Sequence, residues 1–498
     1  MQPPESVAIV GVGGGRDVLS GLYFGARKIT GIEINPAIFE VLTDKFGEFS
    51  GHLDRQPGVS LVNAEARSYI NHSPDKYDLI QISLIDTWAA TAAGGLTLTE
   101  NRLYTIEAWE DFYRALTPDG MLSVSRWYDA EGHRGEFYRL VAIAAAALQK
   151  AGVPAADLSG HVIVVGVGKI VNVITRPAAL ADAEWKAARQ RLEAQGFTVL
   201  LGPGVAYDSV TSTIIAGEAD AAFFASLPEH VAPSTDDNPF FFFTSRLGDL
   251  LLAPSALTMN NNAAITTTLF LLLGTLAACV YYVGVPFVRL ARRMPLATLS
   301  PPVVYFSAIG MGFMLIEVSQ MQRLMVFLGH PVYGLAVVLF TMLLFSGIGS
   351  MTVGSRTLGA MDMAIRVGAL LAALVVGGLL TQPVTEWARG EVTTMRIVVS
   401  VLLLAPPSFF MGMMFPLGLS VWRRHGELLP FFWSANGITS MLASVLGMAL
   451  SIEFGIANTY TIGAAFYVIC AVMLVVAHRE WLTRGAVVDR TRPIPSRG

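Results

Sequence analysis

The chain has 498 residues, of which 53% are hydrophobic and only 14% are charged. Soluble domains ordinarily carry about 25% charged residues, so part of this chain is expected to lie in an apolar environment. This composition excludes a disordered or collagen-like chain, and the formal net charge of −4 argues against a nucleic-acid-binding protein.

Charge divides the chain into two unlike halves. Residues 1–250 contain 19 Lys and Arg against 30 Asp and Glu, whereas residues 251–498 contain 15 Arg, no Lys, and 8 Asp and Glu.

The first predicted strand begins as early as Val7, which favours a natural chain that starts further upstream. The two cysteines, Cys279 and Cys470, lie inside apolar runs and are interpreted as buried apolar side chains, so neither a disulfide framework nor a metal site is predicted.

Residues 7–175 alternate short β-branched runs with helix-like segments, which predicts βαβ units around a parallel sheet. The predicted strands are Val7–Val10, Ile29–Ile34, Val59–Val62, Tyr77–Ser83 and Met121–Trp127. The predicted helices are Arg16–Phe24, Pro36–Phe46, Ala64–Ile70, Ile106–Leu116 and Gly135–Ala151. Two further strands, 161–167 and 170–175, are joined by only two residues and therefore form a hairpin, so one of them is antiparallel. A parallel sheet that ends in such a hairpin resembles the α/β Rossmann-like fold of the S-adenosylmethionine-dependent methyltransferases.

The strongest ligand signal follows the first strand, where glycines allow a tight turn and a close approach of a ligand to a helix N-terminus. The turn consists of Gly11, Val12, Gly13, Gly14 and Gly15, followed by Arg16 and Asp17. Glu33 ends the second strand about twenty residues further on, where a carboxylate can accept both hydroxyls of a ribose. The glycines, Asp17 and Glu33 together predict an adenosyl-binding site. The alternative is a sharp turn beside a solvated acid, since Arg16 replaces the third glycine of the dinucleotide fingerprint.

Two further acids extend this prediction. Glu65 begins a helix after the third strand, where it either meets an adenine amino group or interacts with the helix dipole. Asp86 follows the fourth strand, and ligands of open α/β sheets lie at the carboxyl ends of strands. Its carboxylate would orient or deprotonate an amine nucleophile, with Trp88 as a wall of the pocket. The alternative for Asp86 is a loop residue that caps a turn.

The stretch from Val7 to about Trp127 resembles the polyamine aminopropyltransferases, the family of the spermidine and spermine synthases. The matching landmarks are the glycine loop, Gly31–Asn35, Tyr77–Ile80, Asp86, Leu103-Tyr104, Phe112–Leu116 and Pro118–Gly120. The whole chain is similar to the membrane-fused spermidine-synthase-like proteins of bacteria through the segments 237–242, 327–333 and 412–419.

The resemblance implies that Glu33 binds the ribose of decarboxylated S-adenosylmethionine. It implies that Glu65 lies near the adenine and that Asp86 helps to deprotonate the attacking amine. The substrate pocket that it implies includes Ser83, Trp88 and Tyr104. Two departures from the family pattern concern groups that would hold cations: Arg16-Asp17 replaces an acid followed by a glycine, and Ser83 stands where an aspartate is expected.

From about residue 263 the pattern changes to apolar runs, each long enough to cross a hydrocarbon layer of ~30 Å as a helix. Seven spans are predicted: 263–285, 302–328, 331–351, 364–381, 396–419, 431–454 and 456–477. Within the second span, Glu317, Gln320 and Arg323 lie on one side of the helix and are intramembrane functional candidates. For Glu317 the alternative is a structural pair within the bundle.

The predicted organisation has four parts. They are an S-adenosyl-donor-binding domain (1–175), an αβ appendage and juxtamembrane linker (176–262), a transmembrane domain of about seven helices (263–478) and a polar, Arg-rich tail (479–498). Within the linker, Asp236-Asp237 and Phe240–Phe243 are typical of a juxtamembrane anchor, and the alternative is an apolar packing segment. The expected location is the bacterial inner membrane, with the soluble domain on the cytoplasmic side. The positive-inside rule conflicts with that side, because the Arg-rich links lie opposite the soluble domain when seven spans are counted.

Three functions stay open at this point. The leading interpretation is a membrane-anchored transferase that moves an aminopropyl group from decarboxylated S-adenosylmethionine to a small amine, a displacement at a sulfonium carbon that needs no metal. The second is a methyltransferase that uses S-adenosylmethionine on an unknown acceptor. The third is an amine transporter or sensor whose soluble domain regulates it. The lipid bilayer and a second copy of the chain are the expected partners, and no nucleic acid is expected.

Overall fold

The computed structural model describes residues 4–85, 101–128, 134–245, 263–329, 331–354 and 359–490, without the side chains of 263–266, 331 and 479–490. The chain forms two compact units, Met1–Ile265 and Thr266–Gly498. Each unit has a hydrophobic core of its own. The division between the units lies close to residue 263, where the sequence changes from mixed to apolar.

The first unit is built around one sheet, which has eight strands within the described residues. In chain order they are β1 (Ser6–Val10), β2 (Lys28–Glu33), β3 (Val59–Asn63), β4 (Tyr77–Ser83), β5 (Leu116–Trp127), β6 (Val162–Val167), β7 (Ile170–Thr175) and β8 (Thr198–Leu201). Their order across the sheet is β3-β2-β1-β4-β5-β7-β6-β8. Strands β1 to β5 pair in parallel, whereas β7 runs antiparallel to both β5 and β6. The predicted Rossmann-like fold with a terminal antiparallel hairpin is confirmed.

Helices connect the strands of this sheet. They are α1 (Arg16–Tyr23), α2 (Pro36–Phe39), α3 (Gly47–Ser50), α4 (Ala66–His72), α5 (Ile106–Ala115), α6 (Gly135–Lys150), α7 (Asp182–Ala194), α8 (Ser209–Ile215) and α9 (Ala221–Ser226). The helix predicted over 36–46 is divided, because a π-helical turn at Glu40–Lys45 follows α2. Helix α5 is capped by the Thr105 hydroxyl and buries Trp109 and Phe112 completely against the sheet.

The segment Phe240–Phe243 belongs to the core of the first unit. All four rings are buried, with at most 7% of any residue exposed. Two buried arginines hold the segment: the Arg126 guanidinium lies 4.8 Å from the centroid of the Phe242 ring, and Arg139 donates to the Phe240 carbonyl oxygen at 2.8 Å. The burial of these four rings agrees with the alternative interpretation, an apolar packing segment, rather than with a juxtamembrane anchor, since an apolar run of this length suits a protein core equally well.

Among the described residues of the second unit, the regular secondary structure is helical, and short turns connect the helices. Seven of its helical segments are long and apolar enough to cross a membrane, which agrees with the seven predicted spans. The segments are Thr267–Ala291, Leu296–Leu328, Val332–Met351, Ala360–Gly390, Thr393–Val421, Arg423–Phe454 and Ile456–His478. Small residues let these helices approach closely. A methyl group at Gly310 or Gly412 would collide with the backbone of a neighbouring helix, at Asn436 and Ser346 respectively.

Candidate functional site

The glycine loop joins β1 to α1 at the carboxyl edge of the sheet. Gly11, Gly13 and Gly15 have φ angles of +78°, +50° and +79°, a left-handed region that side-chain-bearing residues rarely adopt. The Gly11 amide donates to the Ile32 carbonyl oxygen at 2.9 Å, which ties the loop to the end of β2. A Cβ atom at Gly13 or Gly14 would meet no described atom within 4 Å, so the outer face of the loop is open to a ligand.

The Glu33 carboxylate lies beside this open face. Its Oε2 atom accepts from the Gly13 amide at 3.4 Å, and its Oε1 atom accepts from the Asn35 amide at 3.0 Å. The structure therefore brings together the loop and the acid that the sequence placed twenty residues apart. A carboxylate has about four lone-pair sites, so two stay available for the hydroxyls of a ribose.

Asn63 supports Glu33 from the next strand, and sequence reasoning missed it. Its amide nitrogen donates to the carbonyl oxygens of Glu33 at 2.9 Å and Ile34 at 3.1 Å. These bonds fix the backbone where β2 ends, and so they fix the direction of the Glu33 side chain. The signal available in the sequence was a polar amide directly after the β-branched run of the third strand.

Glu65 acts as the N-cap of α4. Its Oε1 atom accepts from the Arg67 amide at 3.1 Å, and its Oε2 atom accepts from the Ser68 amide at 2.8 Å. Glu65 therefore lies at a helix N-terminus, as the second of its two interpretations predicts. Each carboxylate oxygen keeps a second lone pair, so the cap does not prevent contact with an adenine amino group.

The end of β4 carries a strained residue next to the glycine loop. Leu84 has a φ angle of +48°, and strain of this kind is concentrated at functional sites. Ile85 follows it and lies against the loop, since a Cβ at Gly11 would come within 2.6 Å of the Ile85 side chain. The Ser83 hydroxyl accepts from the Gln81 side chain at 2.6 Å. The residues directly before position 86 therefore border the loop.

The other predicted site residues lie in different surroundings. Asp86 and Trp88 fall outside the described residues. Tyr104 is wholly buried and packs on Phe241 with ring centroids 4.6 Å apart, so it is a core side chain rather than the wall of a pocket. Asp17 lies in the first turn of α1, 3.8 Å from the Arg16 guanidinium, where a negative charge interacts favourably with the helix dipole.

Among the described residues, no group of three metal-ligating acids, histidines or cysteines is present.

A buried ion network that the sequence did not reveal connects α4 to the segment before Phe240. Arg67 is 5% exposed and pairs with Asp236 through two bonds of 2.7 and 2.9 Å. Its Nε atom donates to Asp111 at 2.7 Å. Burial opposes the charge of Arg67, but the two carboxylates outweigh burial and raise its pKa above the usual value. The partners are 44 and 169 residues from Arg67 in the chain, so no local pattern predicts the network.

We expect Asp236→Ala to destabilise the first unit by about 2–3 kcal/mol. Removing one partner of a buried ion pair usually costs about 3–5 kcal/mol, and Asp111 still compensates part of the Arg67 charge here. The midpoint of thermal unfolding of the full chain should fall by about 4–12 °C. Asp157→Ala, at an exposed position of the first unit, is the matched control and should leave the midpoint unchanged. Equal midpoints for the two variants would contradict a stabilising role of the network.

The intramembrane candidates lie on the second span, Leu296–Leu328. Glu317 is 8% exposed and Gln320 is 1% exposed. Within the described residues, the buried Gln320 side-chain oxygen has no hydrogen-bond partner. The Arg323 guanidinium lies 5.8 Å from the centroid of the Tyr460 ring. Glu317 and Arg323 are separated by nearly two helical turns, so a direct pair would need both side chains to bend toward each other.

Glu317→Gln should be tolerated if Glu317 has only a structural role. The amide keeps the size and the hydrogen-bonding capacity of the side chain without a charge that is costly at membrane depth. We expect an unchanged thermal midpoint and no change in diamine uptake into vesicles that contain the protein. Uptake by the wild type that disappears in the variant would instead assign Glu317 to an amine pathway through the bundle.

Comparisons with known proteins find matches that each cover less than half of this chain. No family model matches the chain. The polyamine aminopropyltransferase of Korarchaeum cryptofilum (strain OPF8) is 24% identical over 239 residues, which cover 48% of this chain and 68% of that protein. Human methyltransferase-like protein 13, solved in complex with SAH, is 18% identical to this chain, with a TM-score of 0.29. The match covers 38% of this chain and 81% of that protein's chain. Spermidine synthase from Thermotoga maritima is 18% identical with a TM-score of 0.29, covering 44% of this chain and 67% of its own. These are names of transferases, the class of enzyme that the sequence predicts.

Proposed function

We propose that the chain is a membrane-anchored transferase with an S-adenosyl-type donor, and that it transfers an aminopropyl group from decarboxylated S-adenosylmethionine to an amine. The observation that carries the proposal is the Glu33 carboxylate, which is held by the Gly13 and Asn35 amides beside an open glycine loop. A carboxylate at the end of β2 is where the ribose of an adenosyl ligand is bound in folds of this type.

The proposed reaction is a single displacement. The lone pair of the acceptor amine forms a C–N bond to the aminopropyl carbon that carries the sulfonium. The C–S bond breaks, and its electron pair neutralises the sulfur to give the thioether 5′-methylthioadenosine. The proton released from the nitrogen passes to a base, for which Asp86 is the candidate, since it follows Ile85 in the chain. The protein contributes by holding the two reactants in line.

Methyl transfer from S-adenosylmethionine is the second candidate, and Ser83 favours it. Ser83 has a hydroxyl where an aspartate would have a carboxylate, and this hydroxyl accepts a hydrogen bond from the Gln81 side chain at 2.6 Å. The position therefore offers no negative charge to a cationic aminopropyl group. The products separate the two reactions. Full-length protein incubated with both donors and a mixture of amines should release 5′-methylthioadenosine, identified by mass spectrometry. Release of S-adenosylhomocysteine instead would establish methyl transfer.

The second unit is proposed to anchor the enzyme in a bacterial inner membrane through seven spans, with the first unit in the cytoplasm. S-adenosyl donors are expected in the cytosol, and an odd number of spans places the C-terminal tail on the other side. A reporter fused after Gly498 should therefore report the periplasm. A cytoplasmic signal from this reporter would place the first unit outside, as the positive-inside rule suggests, and would contradict this orientation.

A further inference from the structure

The glycine loop is packed at its two ends and open between them. A Cβ atom at Gly11 would come within 2.6 Å of the Ile85 side chain, and one at Gly15 would collide with the Leu53 side chain. A Cβ at Gly13, in the middle of the loop, would meet no described atom within 4 Å. Two aliphatic side chains therefore hold the ends of the loop, while the part between them can receive a ligand.

Leu53 reaches Gly15 from a segment of irregular backbone. His52, directly before Leu53, has a φ angle of +49°. A π-helical turn at Glu40–Lys45 carries Leu42, which would lie 3.4 Å from a Cβ at Gly15. Leu53 and Leu42 are 1% and 5% exposed and belong to the same buried cluster. This segment therefore presses two buried leucines against one end of the loop.

Ile85 reaches Gly11 from the end of β4. Leu84, directly before Ile85, has a φ angle of +48°, and its amide donates to the Ser125 carbonyl oxygen of β5 at 3.3 Å. Because β4 pairs in parallel with β1, both strands end at the same edge of the sheet. The chain thus leaves β4 through a left-handed residue that is tied to β5, and the next side chain lies against the loop.

The two ends of the loop share this arrangement. Among the described residues, His52 and Leu84 are the two residues other than glycine that have positive φ angles. Each directly precedes a side chain that packs on the glycine loop. Left-handed backbone of this kind persists only where the surrounding structure compensates its cost, and both such residues and π-helical turns are concentrated at functional sites.

The packing at the ends of the loop sets the geometry of the donor site in its middle. The Gly13 amide donates to the Glu33 carboxylate at 3.4 Å, and the Gly15 amide donates to the Val12 carbonyl oxygen at 2.9 Å. A displacement of the loop would change the first of these bonds and would turn the carboxylate away from a ribose. Misplacement of a reacting group by about 1 Å can lower a rate roughly 100-fold.

We infer that Leu53 and Ile85 are positioning residues of the donor site, which hold the glycine loop in the geometry that accepts an S-adenosyl ligand. Each acts through the loop glycine on which it packs and needs no contact with the donor itself. The strained backbone at His52 and Leu84 serves to aim these two side chains at the loop. As far as the donor is concerned, this inference rests on the proposed function.

Leu53→Ala tests the inference in the full chain, reconstituted in lipid nanodiscs. Calorimetric titration with S-adenosylmethionine and with its decarboxylated form shows which donor the wild type binds more tightly. Leu53→Ala should bind that donor at least tenfold more weakly than the wild type. Leu53→Met keeps the volume of the side chain and should restore the affinity to within about threefold of the wild type. Wild-type affinity in a folded Leu53→Ala variant would overturn the inference.

Leu158→Ala is the matched control. Leu158 is fully buried in the first unit but belongs to a different hydrophobic cluster from Leu53. Both substitutions remove the same atoms from a core, so both should lower the midpoint of thermal unfolding. Donor affinity should fall in Leu53→Ala alone. Equal losses of affinity in the two variants would overturn the inference, because they would reflect a general loss of stability.

Ile85→Ala keeps the test decisive if Leu53→Ala fails to fold. Ile85 is only partly buried, so its truncation disturbs the core less. We expect donor binding at least tenfold weaker than in the wild type. Unchanged donor affinity in Ile85→Ala would overturn the inference.

Amide hydrogen exchange separates this inference from the proposed function, because it needs no donor. Exchange in the peptide that covers residues 11–16, measured by mass spectrometry, should be at least tenfold faster in Leu53→Ala than in Leu158→Ala. Such a difference in a protein whose wild type binds no S-adenosyl donor would support the positioning of the loop and overturn the transferase. Donor binding by the wild type, with equal exchange and equal affinity in the two variants, would overturn only this inference.

Discussion

We expect Asp86→Asn to lower turnover by about 10²–10⁴-fold at neutral pH, because the variant would lack the base to which the proposed reaction gives the proton of the attacking amine. Binding of the donor should stay nearly intact, since the role proposed for Asp86 concerns the acceptor. The loss should shrink as the pH rises, because the amine then deprotonates without help. Rates measured from pH 7 to pH 10 in the wild type and the variant check both the size and the slope of this effect.

The matched control for this experiment is Asp119→Asn. Asp119 is 90% exposed and pairs with Arg176 at 3.2 Å on the surface of the first unit, so the same substitution should leave turnover unchanged there. Full turnover of Asp86→Asn at neutral pH would make Asp86 a loop residue without a role in catalysis. Equal losses in the two variants would point to a general effect on folding.

Glu33→Gln should weaken donor binding at least about tenfold while the fold survives. The amide keeps the size of the side chain but would weaken the two charge-assisted hydrogen bonds proposed between Glu33 and the ribose, each worth roughly 1.5–3 kcal/mol. Calorimetric titration measures the affinity, and the thermal midpoint measures the fold. Glu40→Gln is the control, since Glu40 is exposed and pairs with Lys45 at 3.1 Å. An unchanged affinity in Glu33→Gln would remove the adenosyl-site assignment.

The strands near the donor site could be predicted because their sequence signals are local. Val7–Val10 and Tyr77–Ser83 are short β-branched runs bounded by turn residues, and both strands end where predicted. The hairpin of β6 and β7 is specified by a two-residue turn. Strand β8 was missed, because Thr198–Leu201 has only four residues and pairs with β6, more than thirty positions earlier.

Contacts between distant segments set the limit of prediction at the site. Glu33 could be assigned because a strand-end acid after a glycine loop is a local signal. The support from Asn63 and the ion network of Arg67 depend on contacts between segments that are distant in the chain. Tyr104 shows the opposite error, since an aromatic residue in a family landmark has the same appearance whether it lines a pocket or a core. The seven long apolar helices were predictable because a helix that is to cross lipid must satisfy its own backbone and therefore needs a long apolar run.

Calorimetric titration of the full chain with S-adenosylmethionine and with its decarboxylated form tests the central claim most directly. The account predicts saturable binding of an S-adenosyl donor with preference for the decarboxylated form, and a loss of at least about tenfold in Glu33→Gln. Preference for S-adenosylmethionine would keep the adenosyl site and replace aminopropyl transfer by methyl transfer. Binding of neither molecule to a folded protein would contradict the account.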